Sequence, residues 1–176
     1  MRPGRRRGLA DLTAAMGIRS ASLYKAFGDK GKLFREVVDA YAATPTAQFV
    51  RQAFDEERSA RAAFARMLRD AAVRYTDPAH PPGCLVITAA TNITEQDAAI
   101  ETFLRDLRAA NRATLRDRLA AAERDGELPD DTDIDALADY FAVVIQGMSQ
   151  RARDGADSAA LLTVADLAMA VWPEVR

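Results

Sequence analysis

Apolar residues recur every three or four positions along most of the chain, which is the spacing of an amphipathic α-helix. The clearest stripe lies between residues 95 and 124, where leucines and a phenylalanine alternate with charged side chains. Shorter stripes predict further helices over residues 9–16, 21–27, 30–44, 46–55, 59–75, 134–153 and 158–172. Residues 84–94 contain β-branched side chains, but no partner strand is available, and we predict helix there too. The pattern therefore predicts an all-α fold.

Residues that favour turns and helix caps separate these stripes. Gly17 follows the first stripe and is free to adopt the positive φ of a tight turn. Ser20 and Asp29 are suitable N-caps for the second and third helices, and Ser158 for the last one. Three prolines make residues 77–83 a loop.

The first three predicted helices are short and closely spaced, in the layout of a helix-turn-helix DNA-binding segment. Its recognition helix presents small polar or basic side chains to the major groove from its N-terminal end. Candidates for these contacts are Arg19, Ser20, Ala21, Ser22 and Lys25. Tyr24 and Lys30 are candidates for contacts with backbone phosphates. Leu23 and Phe27 are four residues apart, so both are expected to face the interior.

Charge is unevenly distributed along the chain. Residues 1–41 carry nine Lys and Arg against four Asp and Glu, whereas residues 42–176 carry 15 against 22. A basic head on an acidic body indicates that the head meets a polyanion. Charge asymmetry of this size is also common at surfaces that bind no nucleic acid, and that alternative stays open here.

Composition narrows the function classes. The chain has 176 residues with 49% hydrophobic and 28% charged residues, which is typical of globular proteins. Cys84 is the single cysteine and His80 the single histidine, so we predict no disulfide framework and no metal site. We find no nucleophile–base pair and no Gly-rich phosphate loop, and we predict neither an enzyme nor a cofactor. Neither a membrane-length apolar run nor a signal-peptide core is present, so we expect a cytoplasmic protein.

The same N-terminal segment resembles the DNA-binding domain of the TetR family of bacterial transcriptional regulators. The matching pattern comprises Leu12, Ala15, Gly17, Ile18, Leu23, Tyr24, Phe27, Lys30, Leu33 and Phe34. The resemblance implies that Ser20, Ala21, Ser22 and Lys25 face bases or the nearby backbone, and that Tyr24 and Lys30 hold phosphates. It also implies a DNA-binding domain over residues 1–44 and an effector-binding and dimerisation domain over residues 45–176.

The chain departs from the family pattern at its start. Family members carry a helix of several turns before the segment that begins here at Leu9, and residues 1–8 cannot form it. We therefore expect the DNA-binding domain to be incomplete, with its first helix absent. A misassigned start, a fragment and a loss of DNA binding would each account for the departure.

The C-terminal helices carry more apolar surface than one core needs, which indicates a four-helix interface between two copies. The residues predicted for this interface are Phe141, Ile145, Met148, Leu161, Ala165, Ala168 and Met169. The alternative is a pair of helices inside one core. Apolar and hydrogen-bonding residues on the middle helices suit a pocket for a small organic ligand. The residues predicted for that pocket are Phe64, Met67, Tyr75, Thr88, Thr91, Asn92, Phe103, Leu107, Asn111 and Gln146.

Together these features predict a ligand-responsive DNA-binding regulator. We expect a repressor that binds a palindromic operator, on double-stranded DNA, as a homodimer and is released by a small-molecule effector. The alternative is a ligand-binding helical dimer with impaired or no DNA binding, because the first helix is missing.

Overall fold

The computed structural model of the chain describes residues 9–89 and 98–175, with the side chains from residue 13 onward in the first range. Helices make up 77% of the described residues, and no strand occurs among them. The predicted all-α fold is therefore confirmed. Among the described residues, no helix is both long enough and apolar enough to cross a lipid bilayer.

Nine α-helices are formed by the described residues. They are α1 Leu9–Met16, α2 Ser20–Phe27, α3 Lys30–Ala42, α4 Pro45–Glu56, α5 Ala60–Tyr75, α6 Leu85–Ala89, α7 Ala98–Arg124, α8 Ile134–Arg153 and α9 Ser158–Ala168. A 3-10 turn, Met169–Val171, follows α9. Contacts between the helices divide the chain into two compact units, with the division between Ala40 and Tyr41. The rest of the helix predicted over 84–94 lies outside the described residues.

The helix ends follow the predicted turn chemistry in part. Gly17 has a φ of 65°, as expected for the turn after α1, and the Asp29 carboxylate accepts a hydrogen bond from Lys32 N–H at 2.8 Å. The predicted caps Ser20 and Ser158 are wrong, because each is already the first helical residue. The residues before them are the caps, and the Asp157 carboxylate accepts a hydrogen bond from Ala160 N–H.

The first unit is a small helical head. Its turn is closed by a hydrogen bond from Ile18 N–H to the Thr13 carbonyl at 3.1 Å, and α1 packs against α2. Leu23 is fully buried, and Phe27, Leu33 and Phe34 are half-buried. Leu23 therefore anchors α2 in the head. This agrees with the prediction that Leu23 and Phe27, which are four residues apart, both face the interior.

The second unit has one continuous hydrophobic core built from α4, α5, α7, α8 and α9. Phe64 on α5 lies at its centre, with ring centroids 5.1 Å from Phe54, 4.7 Å from Phe141 and 5.5 Å from Trp172. Helix α5 packs most extensively against α9 and α4, and α7 against α8. Large aromatic rings thus join the first, middle and last helices of this unit.

The loop after α5 is held to α5 and α8 by hydrogen bonds from its backbone N–H groups. Gly83 N–H donates to the Tyr75 carbonyl at 2.9 Å, and Cys84 N–H donates to the Ser149 hydroxyl at 2.8 Å. Gly83 has a φ of 81°, and a Cβ added there would lie 2.7 Å from the Ser149 carbonyl oxygen. Glycine is required at this position both by its conformation and by the close approach of α8.

Candidate functional site

The predicted DNA-contacting residues form one exposed surface on α2 and the start of α3. Arg19 to Ser22, Lys25 and Lys30 are exposed, and Tyr24 is 45% exposed. Leu23, in the middle of the same helix, is fully buried. The helix therefore presents its polar and basic side chains to solvent while one leucine anchors it. This arrangement has the chemistry of a recognition helix, with donors for base edges and phosphates.

The start of α2 has the geometry of a helix that can accept an anion. Arg19 occupies the N-cap position with extended backbone, and its side chain makes no capping hydrogen bond. The first-turn residues Ser20 and Ala21 have backbone N–H groups that no earlier turn of the helix can satisfy. A positively charged cap and free N–H groups together favour a phosphate at this end.

Tyr41, the first residue of the second unit, lies within hydrogen-bond distance of the Cys84 side chain. Burial raises the pKa of the Tyr41 phenol above its ordinary value, and the charge of a Cys84 thiolate and a hydrogen bond with its side chain act in the same direction. Burial also raises the pKa of Tyr75, which lies close to both residues. Both phenols therefore stay protonated at neutral pH.

The predicted pocket residues lie in several different environments. Phe64, Met67 and Tyr75 belong to the hydrophobic core, and Thr88 on α6 is buried as well. Phe103 and Leu107 on α7 are half-buried, whereas Asn111 and Gln146 are exposed. Thr91 and Asn92 lie outside the described residues. An open groove of about 450 Å³ lies instead beside the α7–α8 turn, where Pro129, Tyr140 and Pro173 line it. The pocket among the middle helices stays a prediction.

The structure corrects the residues predicted for the dimer interface. Phe141, Met148, Leu161, Ala165 and Ala168 are at most 4% exposed within one protomer. A side chain that is covered by its own chain has no surface left to bury against a second copy. Ile145 and Met169 are only partly buried, but both pack against the same core. The alternative of an internal helix pair therefore describes the five buried residues, and the interface assignment of Ile145 and Met169 stays a prediction.

Other faces of α8 and α9 leave large apolar side chains in solvent. Val143 is 67% exposed and Leu167 68%, and Val164 and Val171 are also exposed. An exposed valine or leucine alone needs no explanation, but several on two helices that pack together are candidates for an interface. The predicted interface set leaves these four residues out. Val143, for example, lies on the face of α8 opposite Phe141 and Ile145.

Comparison with known proteins gives matches over both units. Residues 60–167 match the family model described as "Tetracyclin repressor-like, C-terminal domain". The chain is 34% identical over 167 residues to the HTH-type transcriptional repressor ComR of Escherichia coli K12, covering 95% of this chain and 80% of that protein. It is 28% identical over 152 residues to the repressor BdcR of the same organism, covering 84% and 69%.

Solved structures give the same result. A cysteine mutant of the TetR family transcriptional regulator CifR, complexed with 26-bp double-strand operator DNA, superposes with a TM-score of 0.89 at 37% identity. The match covers 95% of this chain and 86% of that one. A putative TetR transcriptional regulator from Rhodococcus sp. RHA1 has a TM-score of 0.67 at 32% identity, covering 96% and 89%.

Proposed function

The chain belongs to the TetR family of transcriptional regulators, and we propose that it represses genes by binding a palindromic operator as a homodimer. Members of this family are non-enzymatic DNA-binding regulators. The observation that carries the proposal is the surface of α2, where polar and basic side chains are exposed around the buried Leu23. Operator binding requires the compartment that holds the chromosome, so the proposal places the protein in the cytoplasm.

In this proposal the head residues divide into base readers and phosphate binders. Arg19, Ser20, Ala21, Ser22 and Lys25 face the major groove, where polar and basic side chains meet base edges. Tyr24 and Lys30 bind phosphates beside the groove. The similarity to CifR, whose structure contains operator DNA, supports DNA binding by the head.

The dimer is proposed to form through the exposed apolar patch of α8 and α9. Val143 and Leu167 are the two most exposed large apolar residues of this patch. A second copy that packs the same two helices against them would form a symmetric four-helix interface. Replacing Leu167 with Lys should therefore convert dimers to monomers in size-exclusion chromatography with light scattering. An unchanged mass for this variant would contradict the assignment of this patch.

A small-molecule effector is proposed to bind among the middle helices of the second unit and to release the operator. The effector would favour a conformation of the dimer in which the two recognition helices no longer match successive major grooves. An effector acts in this way only if it binds the two conformations with different affinity.

The test is duplex binding by fluorescence anisotropy, with DNA from immediately upstream of the coding sequence, at several salt concentrations. We expect specific binding with a steep salt dependence, since each phosphate contact releases counterions. Lys30→Ala should reduce the slope of log affinity against log salt by about 1. Arg51→Ala is the matched control, because Arg51 is an exposed cation of the second unit that pairs with Asp55.

Tyr24→Phe gives a finer test of the same surface, since it removes only the hydroxyl and keeps the ring. We expect weaker binding to all duplexes alike, because phosphate contacts carry no sequence information. If the chain binds neither the upstream probe nor any duplex from a randomised selection, the DNA-binding proposal fails. The protein would then be a ligand-binding helical dimer, which is the second candidate function.

A further inference from the structure

Arg108 is a charged residue on the buried face of α7. It lies four residues after Leu104 and seven before Leu115, and both leucines are at most 4% exposed. On a helix, positions four and seven apart share one face. Ile100 and Leu119 continue the same buried stripe. Arg108 is therefore a cation in a row of apolar side chains.

The guanidinium of Arg108 is incompletely paired. Its Nη1 is buried and has no hydrogen-bond partner, and it is the only buried side-chain nitrogen or oxygen in this state among the described residues. Burying part of a guanidinium without an acceptor is costly, because the N–H groups lose water and gain nothing in return. Such a group in a native protein needs an explanation, and a bound molecule that supplies the missing acceptor is one.

Nearby carboxylates are directed to other arginines of the same helix. Arg112, one turn later, binds Asp135 at 2.8 Å and Asp139 at 2.7 Å, and Arg116 binds Asp135 at 3.3 Å. The second unit is acidic, so a shortage of carboxylates does not explain the unpaired nitrogen of Arg108. The fold thus pairs Arg112 with two carboxylates, whereas Arg108 Nη1 has no acceptor among the described residues.

We propose that the effector of this regulator is an organic carboxylate, and that Arg108 binds its carboxylate group. This inference rests on the proposed effector-responsive function and names the ligand class for it. One guanidinium balances the single charge of a carboxylate and can bind its two oxygens in parallel, whereas a phosphate monoester carries more charge. Leu107, the half-buried apolar residue directly before Arg108, favours an anion that is attached to an apolar body.

The residues predicted for the pocket agree with this location in part. Leu107 directly precedes Arg108 on α7, and Phe103 lies five residues before Arg108. Both apolar residues are half-buried, and α6 packs against α7. Their apolar side chains suit the body of the ligand, and Arg108 supplies the orienting charge that the sequence-based set lacked. The sequence signal that identifies Arg108 is its place as a charged residue within an apolar stripe.

The experiment compares carboxylates with their uncharged amides by thermal denaturation of the full chain. The probes are octanoate with octanamide and benzoate with benzamide, and inorganic phosphate reports the effect of negative charge alone. We expect the carboxylates to stabilise the wild-type chain and the amides and phosphate to have no effect. If no carboxylate stabilises it more than its amide does, the proposal is overturned.

Variants assign the effect to Arg108. Arg108→Met should weaken binding of the stabilising carboxylate about 10- to 100-fold, since it removes a charge-assisted hydrogen bond. Without ligand, the same variant should melt about 2–4 °C higher, because it removes an incompletely paired buried charge. Arg105→Met is the matched control, since Arg105 is exposed on the same helix, and it should change neither quantity. Arg108→Lys should keep part of the affinity.

Two further readouts distinguish a ligand site at Arg108 from a contact between two copies of the chain. If Arg108→Met changes the mass of the oligomer and leaves carboxylate binding intact, Arg108 pairs with a second copy and the ligand proposal fails. Operator binding is measured in parallel. If the chain binds operator but no carboxylate, the proposed function stands and the inference about Arg108 fails. If the chain binds carboxylates through Arg108 but does not bind operator, the inference about Arg108 stands and the proposed function fails.

Discussion

Gly83→Ala tests the contact that holds the loop after α5 against α8. An alanine at a φ of 81° is strained by about 1–2 kcal/mol. The added Cβ would also lie 2.7 Å from the Ser149 carbonyl oxygen and 2.9 Å from its hydroxyl. Relief of that contact requires the loop to move away from α8. The movement weakens the 2.8 Å hydrogen bond from Cys84 N–H to Ser149, at a cost of about 1 kcal/mol.

The total loss of unfolding free energy is therefore on the order of 3 kcal/mol, or about 6–12 °C in Tm for a chain of this size. Gly126→Ala is a matched control. Gly126 also has a positive φ, of 74°, but a Cβ there would meet nothing within 4 Å. This control should lose only the strain, about 1–2 kcal/mol. Both variants are compared by thermal and urea denaturation at one protein concentration, because the proposed dimerisation would make stability depend on concentration.

The comparison separates conformational strain from the approach of α8. If Gly83→Ala and Gly126→Ala lose the same stability, the contact with Ser149 contributes nothing and the reasoning is refuted. If Gly83→Ala loses more, the loop from Tyr75 to Cys84 is fixed by this contact.

Further predictions concern the core and the ion pairs of the second unit. Phe64→Ala should cost about 3–5 kcal/mol in urea denaturation, because it removes a fully buried ring from an aromatic cluster; a loss below about 1 kcal/mol would contradict its central place. Ser149→Ala should cost about 1–3 kcal/mol, since Cys84 N–H loses its acceptor; equal stability would mean that water replaces the hydroxyl. Hydrogen bonds from Arg112 lower the pKa of Asp139 below its ordinary value. The pair therefore contributes its full stability at pH values above the ordinary pKa of an aspartate, and this contribution is lost as the pH falls through the lowered pKa of Asp139. Asp139→Asn should therefore be less stable than the wild type at neutral pH and converge with it in acid, and a constant difference at all pH values would contradict this pairing.

The sequence by itself determined the helices and the exposed polar surface of α2. Periodicity placed α1, α5 and α8 within one residue of their observed ends, because the face of a helix is fixed by local spacing. Gly17 and Asp29 were recognised because a turn and a cap are local too. The exposed surface of α2 around Leu23 followed from the same spacing.

Only the tertiary structure decided what each buried face packs against. Phe141 and Leu161 were assigned to a dimer, yet they fill the core of one protomer, because an apolar stripe does not specify whether its neighbour belongs to the same chain. Arg108 and Arg112 are alike in sequence, one turn apart on α7. Asp139 pairs with Arg112 and leaves Arg108 Nη1 without an acceptor, and that difference depends on where α8 lies in space. Local spacing sets which side chains face inward, and packing between distant segments sets which of them find partners.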